Sequence, residues 1–326
     1  MRRWKFPGLL IGTVLLLGLC PSPSLAAEEP YRIGVLNPGG AYTAAVDGLR
    51  ERLQELGYVE GKHVVFDAPE AQGDWKALEK AAERFARERV DLVYSVTTGA
   101  TKLAQRAMKE IPIVFNVVGD PVKFGFAKSL ANPGGNLTGL SNISLELSGR
   151  RLEVLRGLVP RARRILAPYN PEYEFAVKAV AVAKEAAPKM GVELVEVHVK
   201  NVGEIEDLLK GLKPGEFDGI YVPPDANLMS RPGLIFELAQ GKRLPTIVHE
   251  EALVHLGALA SYGPNFHQMG RQAAPYVVKI LKGTKPQNLP VERPSKIDLV
   301  INLKTAHAIG LTIPKEILLQ ADKVIR

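Results

Sequence analysis

Short apolar runs alternate with longer amphipathic runs along almost the whole chain, and this rhythm restricts the fold more than any single motif does. Arg32 to Leu36 (RIGVL) is strand-like. Ala44 to Leu56 then carries Val46, Leu49, Leu53 and Leu56 at helical spacing, with Gly57 as a stop. His63 to Phe66, Asp91 to Ser95 and Ile111 to Val117 continue the strand series, interleaved with helices over Trp75 to Arg89 and Ala100 to Lys109. The pattern restarts at Gly149. Helices are expected over Gly149 to Leu158, Glu174 to Met190, Val202 to Leu212 and Pro232 to Gln240. Strands are expected over Arg164 to Pro168, Glu193 to Val199, Gly219 to Val222 and Thr246 to Val248. The tail adds strands at Leu259 to Tyr262 and Leu299 to Leu303, with helices from Phe266 to Leu281 and from Lys304 to Ile309. Strands and helices that alternate with short links make βαβ units and parallel sheets. The expected class is therefore α/β, in two halves of similar size that share no visible sequence repeat.

The first thirty residues have a separate logic. Arg2, Arg3 and Lys5 precede a 12-residue apolar run, Leu9 to Cys20, and Pro21, Pro23 and Ser24-Leu25-Ala26 follow. A basic start, a short apolar middle and small residues at a cleavage point form a secretory leader, with the cut expected after Ala26. A run of 12 falls short of the roughly 20 residues that span a bilayer. Lipid anchoring at Cys20 is disfavoured, because the bulky Leu19 precedes it and Pro21 follows. Of the formal net charge of +7, three units belong to the leader, which leaves +4 spread along the remainder. A diffuse charge of that size argues against a nucleic-acid partner. Cys20 is the only cysteine, so without the leader the chain has no disulfide, thiolate metal site or cysteine nucleophile.

In open parallel sheets, ligands sit beyond the carboxyl ends of the strands. Polar and glycine-rich segments fall at those points. Asn37, Gly40 and Tyr42 follow the first strand, Thr97 and Thr98 the third, and Gly119 and Asp120 the Ile111 strand. In the second half Asn170 and Tyr173, Asp225 and Glu251 occupy the corresponding places, and Tyr262 closes a strand in the tail. Thr97, Thr98 and the N–H groups that open the next helix suit a carboxylate. Asp120 or Asp225 suits an ammonium, and Tyr42, Tyr173 and Tyr262 suit the flanks of an apolar ligand body. Each element has a plainer use: Gly-Asp-Pro and Asn-Pro are turn sequences, and a tyrosine often packs half-buried. Catalytic patterns are absent from the sequence. His249-Glu250-Glu251 lacks the second histidine of a zinc-protease helix, since position 253 is Leu253, and no Gly-x-Ser-x-Gly elbow or phosphate-binding loop occurs.

Several segments carry a family resemblance: LGYVEGKHV (Leu56 to Val64), IPIVFNVVGDPVKFGF (Ile111 to Phe126), SLANPGGNLTGLSN (Ser129 to Asn142), SYGPN (Ser261 to Asn265), the stretch from Tyr276 to Pro314, and LLQADKVI (Leu318 to Ile325). In order along the chain they resemble the tryptophan-binding-protein-like substrate-binding proteins of ABC transporters. The resemblance implies a type I periplasmic-binding-protein fold, with two Rossmann-like lobes, three hinge crossings and a ligand cleft between them. The implied lobes are 27–143 plus 257–288 and 144–256 plus 289–326. Positions that carry over as ligand contacts are Thr97, Thr98, Gly119, Asp120, Asn142, Asn170, Asp225 and Tyr262. The implied role is non-catalytic and cofactor-free: capture of an amino acid or related small molecule outside the cytoplasm by a monomer, and delivery to an inner-membrane permease. The first loop, Asn37-Pro38-Gly39-Gly40, departs from the segment of the tryptophan binders. An exported subunit that feeds a membrane sensor and an exported hydrolase on the same fold are the alternative expectations.

Overall fold

A computed structural model describes Met1 and residues 29–225 and 228–326. The leader, its cleavage point and Cys20 lie outside the described residues.

The first lobe is laid down by β1 (Tyr31–Leu36), α1 (Thr43–Glu55), β2 (Val64–Asp67), α2 (Trp75–Glu88), β3 (Leu92–Val96), α3 (Thr98–Ala107), β4 (Ile113–Val118) and β5 (Leu137–Ser141). The five strands form a parallel sheet in the order β2-β1-β3-β4-β5. β3 (LVYSV) and β4 (IVFNVV) are buried at every position, as strands covered by helices on both faces must be. α2 shows the local determinants clearly. Asp74 caps it by accepting from the N–H groups of Lys76 and Ala77, Leu78, Ala81, Ala82 and Phe85 form its buried stripe, and Arg89 ends it in a left-handed turn.

The second lobe comprises α4 (Ser148–Leu158), β6 (Arg164–Tyr169), α5 (Glu174–Ala186), β7 (Glu193–His198), α6 (Val202–Gly211), β8 (Gly219–Tyr221), α7 (Pro232–Gly241), β9 (Thr246–Val248), α8 (Glu251–His255) and β10 (Ala260–Pro264). After β10 the chain returns to the first lobe as α9 (Phe266–Leu281), then comes back as β11 (Ile297–Asn302), α10 (Leu303–Ala308), α11 (Lys315–Leu318) and β12 (Lys323–Ile325). The sheet order is β12-β11-β10-β9-β8-β6-β7, parallel throughout except where β11 runs against β10.

Each sheet has a core on both faces. α1 and α9 cover one side of the first sheet, and α2 and α3 the other. α4, α5 and α10 cover one side of the second, and α6, α7 and α8 the other. α1 and α9 cross almost backbone to backbone. A Cβ on Gly270 would stand 2.0 Å from the Ala45 carbonyl oxygen, and one on Gly48 would stand 2.0 Å from that of His267, so only glycine permits this crossing.

The chain passes between the lobes three times: after β5, at Asn265 between β10 and α9, and just before β11. The expected lobe boundaries at 257 and 289 both move toward the C-terminus. β10 pairs with β9 and β11, so residues 260–264 belong to the second sheet rather than the first lobe. Leu289 and Val291 pack into the first lobe's cores, and Glu292 N–H donates to the Gly139 carbonyl at 3.0 Å, so the third passage lies beyond Glu292.

The first and second passages are tied together by Arg151 of α4, whose side chain is fully buried. Its Nε donates to the Tyr262 carbonyl at 2.7 Å, Nη1 to the Ser144 carbonyl at 2.8 Å and Nη2 to the Ser144 hydroxyl at 3.0 Å. A buried cation satisfied by carbonyls on both hinge segments fixes their spacing.

Candidate functional site

The carboxyl ends of the two sheets face each other. Lys123, just after β4, pairs with Glu174 at the start of α5. Gly119 lies so close to Phe175 that a Cβ there would stand 3.0 Å from the ring. The hydroxyl of Tyr42 is held above its usual range by burial first, then by the charges of Glu250 and Tyr173 on the opposite lobe. The lobes are therefore in contact across the cleft.

On the first lobe, Asn37 organises the turn after β1. Its Oδ1 accepts from Gly39 N–H at 3.2 Å and its Nδ2 donates to the Thr43 hydroxyl at 3.4 Å. The turn delivers a short 3-10 segment, Gly40–Tyr42, and the Tyr42 ring stacks on Phe266 with centroids 5.5 Å apart. Thr97 caps α3 by accepting from Ala100 N–H at 3.4 Å, and the Thr98 hydroxyl accepts from Gly119 N–H at 3.2 Å. The β3 and β4 loops are thus joined, with the opening turn of α3 between them. An α-helix leaves its first N–H groups without partners in the helix, which favours an anion at that point.

Two non-glycine residues at these strand ends have positive φ: Thr97 at 85° and the β-branched Val117 at 55°. Such conformations cost about 1–3 kcal/mol each and gather at binding sites. Val117 marks a register shift in β4. Neighbouring Asn116 stabilises it by accepting from Val117 N–H at 2.8 Å, while its Nδ2 donates to the Tyr94 hydroxyl at 2.6 Å. Asp120 Oδ1 accepts from Lys123 N–H at 3.0 Å and closes the turn that presents Lys123 to the other lobe. Asn142 opens the first hinge passage: its N–H donates to Val118 O at 2.7 Å and its Oδ1 accepts from Ser144 N–H at 3.0 Å.

On the second lobe, Asn170 and Asp225 are buried and bonded to each other. Asn170 N–H donates to Asp225 Oδ2 at 2.9 Å, and Leu228 N–H to Asp225 Oδ1 at 3.3 Å. Both Asp225 oxygens therefore brace the loops after β6 and β8. Tyr173 stands at the position that opens α5, more exposed and without a side-chain bond to the helix, its hydroxyl raised above the usual range by burial and then by Asp225.

Two expected residues are held by other partners, although Glu251 still borders the cavity between the lobes. The Glu251 carboxylate is held by Lys323 of β12 and lies 3.3 Å from His255 Nε2. The Tyr262 side chain packs into the second lobe's α4–α5 core, and its carbonyl accepts from Arg151. The remaining expected residues gather at the strand ends around the cleft.

The cleft also contains residues that the sequence did not single out. Phe175 and Lys123 are two, and Glu250 is the third. The Glu250 side chain is only 15% exposed, and its Oε2 has no hydrogen-bond partner. Burial pushes its carboxyl up to about 7. Neighbouring His249 is driven down to about 3 by burial and then by the charge of Arg151, so it stays neutral. A cavity of about 340 Å³ opens beside Glu250, lined from the first lobe by Gly40, Ala41 and Ala44 and from the second by Glu250, Glu251 and Ser261. Of the expected residues Gly40 and Glu251 line it, whereas Thr97, Thr98, Asp120, Asn170 and Asp225 stand outside its lining. That volume lies in the range of small-molecule sites. Among the described residues, no group of three or more His, Cys, Asp or Glu is placed to hold a metal ion.

Two α/β lobes, three linking passages and a polar cleft between opposed strand ends define a two-lobed binding protein. Residues 33–325 match the ABC transporter substrate binding protein family, and the chain belongs to that family. It is 30% identical over 268 residues to a tyrosine-binding protein of Clostridioides difficile, covering 82% of this chain and 76% of that one. It is similar to a Streptococcus pneumonia ABC domain solved in complex with L-Trp, at 28% identity and a TM-score of 0.79 over 91% of this chain and 100% of that one. It is also similar to a ligand-free, open substrate-binding protein with adhesive properties from Clostridium difficile, at 30% identity and a TM-score of 0.76 over 90% of this chain and 99% of that one. The family is one of solute-binding proteins rather than enzymes, and its members serve ABC transporters from outside the cytoplasm. No helix among the described residues is long and apolar enough to cross a membrane.

Proposed function

We propose that this protein captures an aromatic L-amino acid, of the tyrosine or tryptophan class, between its lobes and delivers it to the permease of an ABC importer. The observation that carries this reading is the placement of aromatic rings from both lobes at the cleft, Tyr42 of the first near Tyr173 of the second and Phe175 of the second against Gly119 of the first, around polar groups of both signs. The α3 N-terminus with Thr97 and Thr98 suits the ligand carboxylate, a buried acidic side chain suits its ammonium, and the aromatic rings flank its side chain. The relatives named for tyrosine and solved with L-Trp support the same class. Thr97, Thr98, Gly119, Asn142 and Asn170 take part through the loops they shape, and Asp120 and Asp225 hold those loops in place. The leader is cut after Ala26, and the released protein acts as a monomer.

A thermal-shift screen of the purified protein against the L-amino acids tests this. A ligand at a hundred times its Kd stabilises the folded state by about 2.7 kcal/mol, which raises the melting point by about 5 °C or more. The reading requires the largest shift from tyrosine or tryptophan. A larger shift from a sugar or an aliphatic amino acid would replace it.

A further inference from the structure

We infer that Glu250 is the specificity-determining residue that receives the ligand's ammonium group. The inference rests on the amino-acid reading above and names the carboxylate on which that reading turns.

Of the described carboxylates near the second lobe's strand ends or facing them, all but Glu250 are engaged. Asp298, which borders the same cavity, accepts from Asn265 Nδ2 at 2.6 Å and pairs with Lys296 at 3.1 Å, while Glu172 pairs with Lys200 and Glu174 with Lys123. Asp225 accepts from two backbone N–H groups. Glu251 is neutralised by Lys323, with His255 beside it. Asp120 caps its own turn and lies near the cation of Lys178. Among the described residues, Glu250 Oε2 has neither a hydrogen-bond donor nor a lysine or arginine partner, and its nearest basic atom is His249 Nε2 at 3.8 Å. Yet Glu250 borders the interlobe cavity and faces Tyr42 across the cleft. A buried carboxylate without a partner is costly, and burial favours its protonated form until a cation arrives. An α-ammonium is such a cation: compact, with three donors, and carried by the ligand class whose aromatic part the neighbouring rings would flank. A deaminated analogue would leave Glu250 unpaired when the lobes close, and the site should reject it.

Tyr42, whose hydroxyl feels the charge of Glu250, and His249, 3.8 Å away, are titratable groups beside Glu250, and the buried guanidinium of Arg151 lies behind His249. Glu251, His255, His267 and Asp298 also border the cavity. E250Q keeps all of them, so it is the control for any pH effect.

The test is calorimetric titration of the purified protein and of E250Q with L-tyrosine and 3-(4-hydroxyphenyl)propanoate, and with L-tryptophan and indole-3-propanoate, at pH 6 and pH 8. A hydrogen bond to a charged group implies that the unsubstituted protein prefers the amino acid over its deaminated analogue by about 10- to 150-fold, a preference that E250Q loses. Amino-acid affinity should rise about tenfold from pH 6 to pH 8 as Glu250 ionises, and stay flat in E250Q. The pH series on the unsubstituted protein needs no variant, so it tests the inference even if E250Q folds poorly. Full discrimination by folded E250Q, or pH-independent affinity in the unsubstituted protein, overturns the assignment while the amino-acid reading stands. Failure of the unsubstituted protein to bind either amino acid overturns that reading, and the inference with it.

Discussion

A residue kept for binding can weaken the fold that carries it, and Glu250 allows this to be measured. Its carboxyl is pushed from an ordinary value of 4.5 up to about 7 by burial. The folded protein therefore holds a proton between pH 7 and pH 4.5 that the unfolded chain has released. Stability from this group rises as pH falls through that window, and above it the ionised, buried carboxylate is a net cost. The shift of about 2.5 units corresponds to about 3 kcal/mol at pH 8. E250Q removes the ionisation while keeping the side-chain volume. It should be more stable than the unsubstituted protein by about 3 kcal/mol at pH 8, or about 6–12 °C in melting point. The advantage should shrink as pH falls and vanish near pH 4.5. His249 acts in the opposite sense. Its folded value lies near 3 against an ordinary 6.5, so its stability contribution is lost as pH falls below 6.5. The two slopes offset each other between about pH 6.5 and 4.5, and E250Q exposes the histidine's slope of about 1.4 kcal/mol per pH unit. Urea unfolding followed by circular dichroism from pH 8 to pH 4.5 reads both effects. An E250Q variant that is less stable at pH 8, or that differs from the unsubstituted protein by the same amount at every pH, would refute the reasoning.

Other substitutions probe the frame around the cleft. R151M removes three charge-assisted hydrogen bonds and leaves the Tyr262 and Ser144 carbonyls buried without that donor; it should cost about 3 kcal/mol in urea unfolding, and unchanged stability would show that the guanidinium does not brace the hinge. G270A sets a methyl 2.0 Å from the Ala45 carbonyl oxygen, so α1 and α9 must separate, at a cost of about 2–4 kcal/mol that a thermal melt would register. K123E places like charges across the cleft mouth opposite Glu174 and should speed L-tyrosine dissociation by about two- to fivefold in stopped-flow measurements, with little change in stability.

The fold was legible wherever periodicity was strong. The amphipathic stripe of α2 and the apolar runs of β3 and β4 predict their own elements and, by alternating, a parallel sheet. β5 (LTGLS) was not visible as a strand, because its polar, glycine-containing sequence becomes one only through pairing with β4. β10 was assigned to the wrong lobe for a related reason: pairing between distant segments leaves no local signal. The strand-end rule pointed to Tyr42, Thr97, Thr98, Asp120 and Asn170, which stand just beyond the carboxyl ends of their strands. It selected Glu251 rather than its neighbour Glu250. Adjacent residues point in different directions, and only the packed structure shows that Lys323 claims one of the pair. Asp225 has the residue type expected of an ammonium partner, but its oxygens are committed to backbone N–H groups that the sequence does not reveal.

The central claim is that the cleft between Tyr42 and Glu250 holds an aromatic amino acid. Calorimetric titration of the purified protein with L-tyrosine and L-tryptophan, in parallel with a Y42A/E250A variant shown to be folded, tests it most directly. The account predicts one-to-one binding of at least one of the two by the unsubstituted protein and its loss in the variant. Absence of binding by the unsubstituted protein, or undiminished binding by the variant, would contradict it.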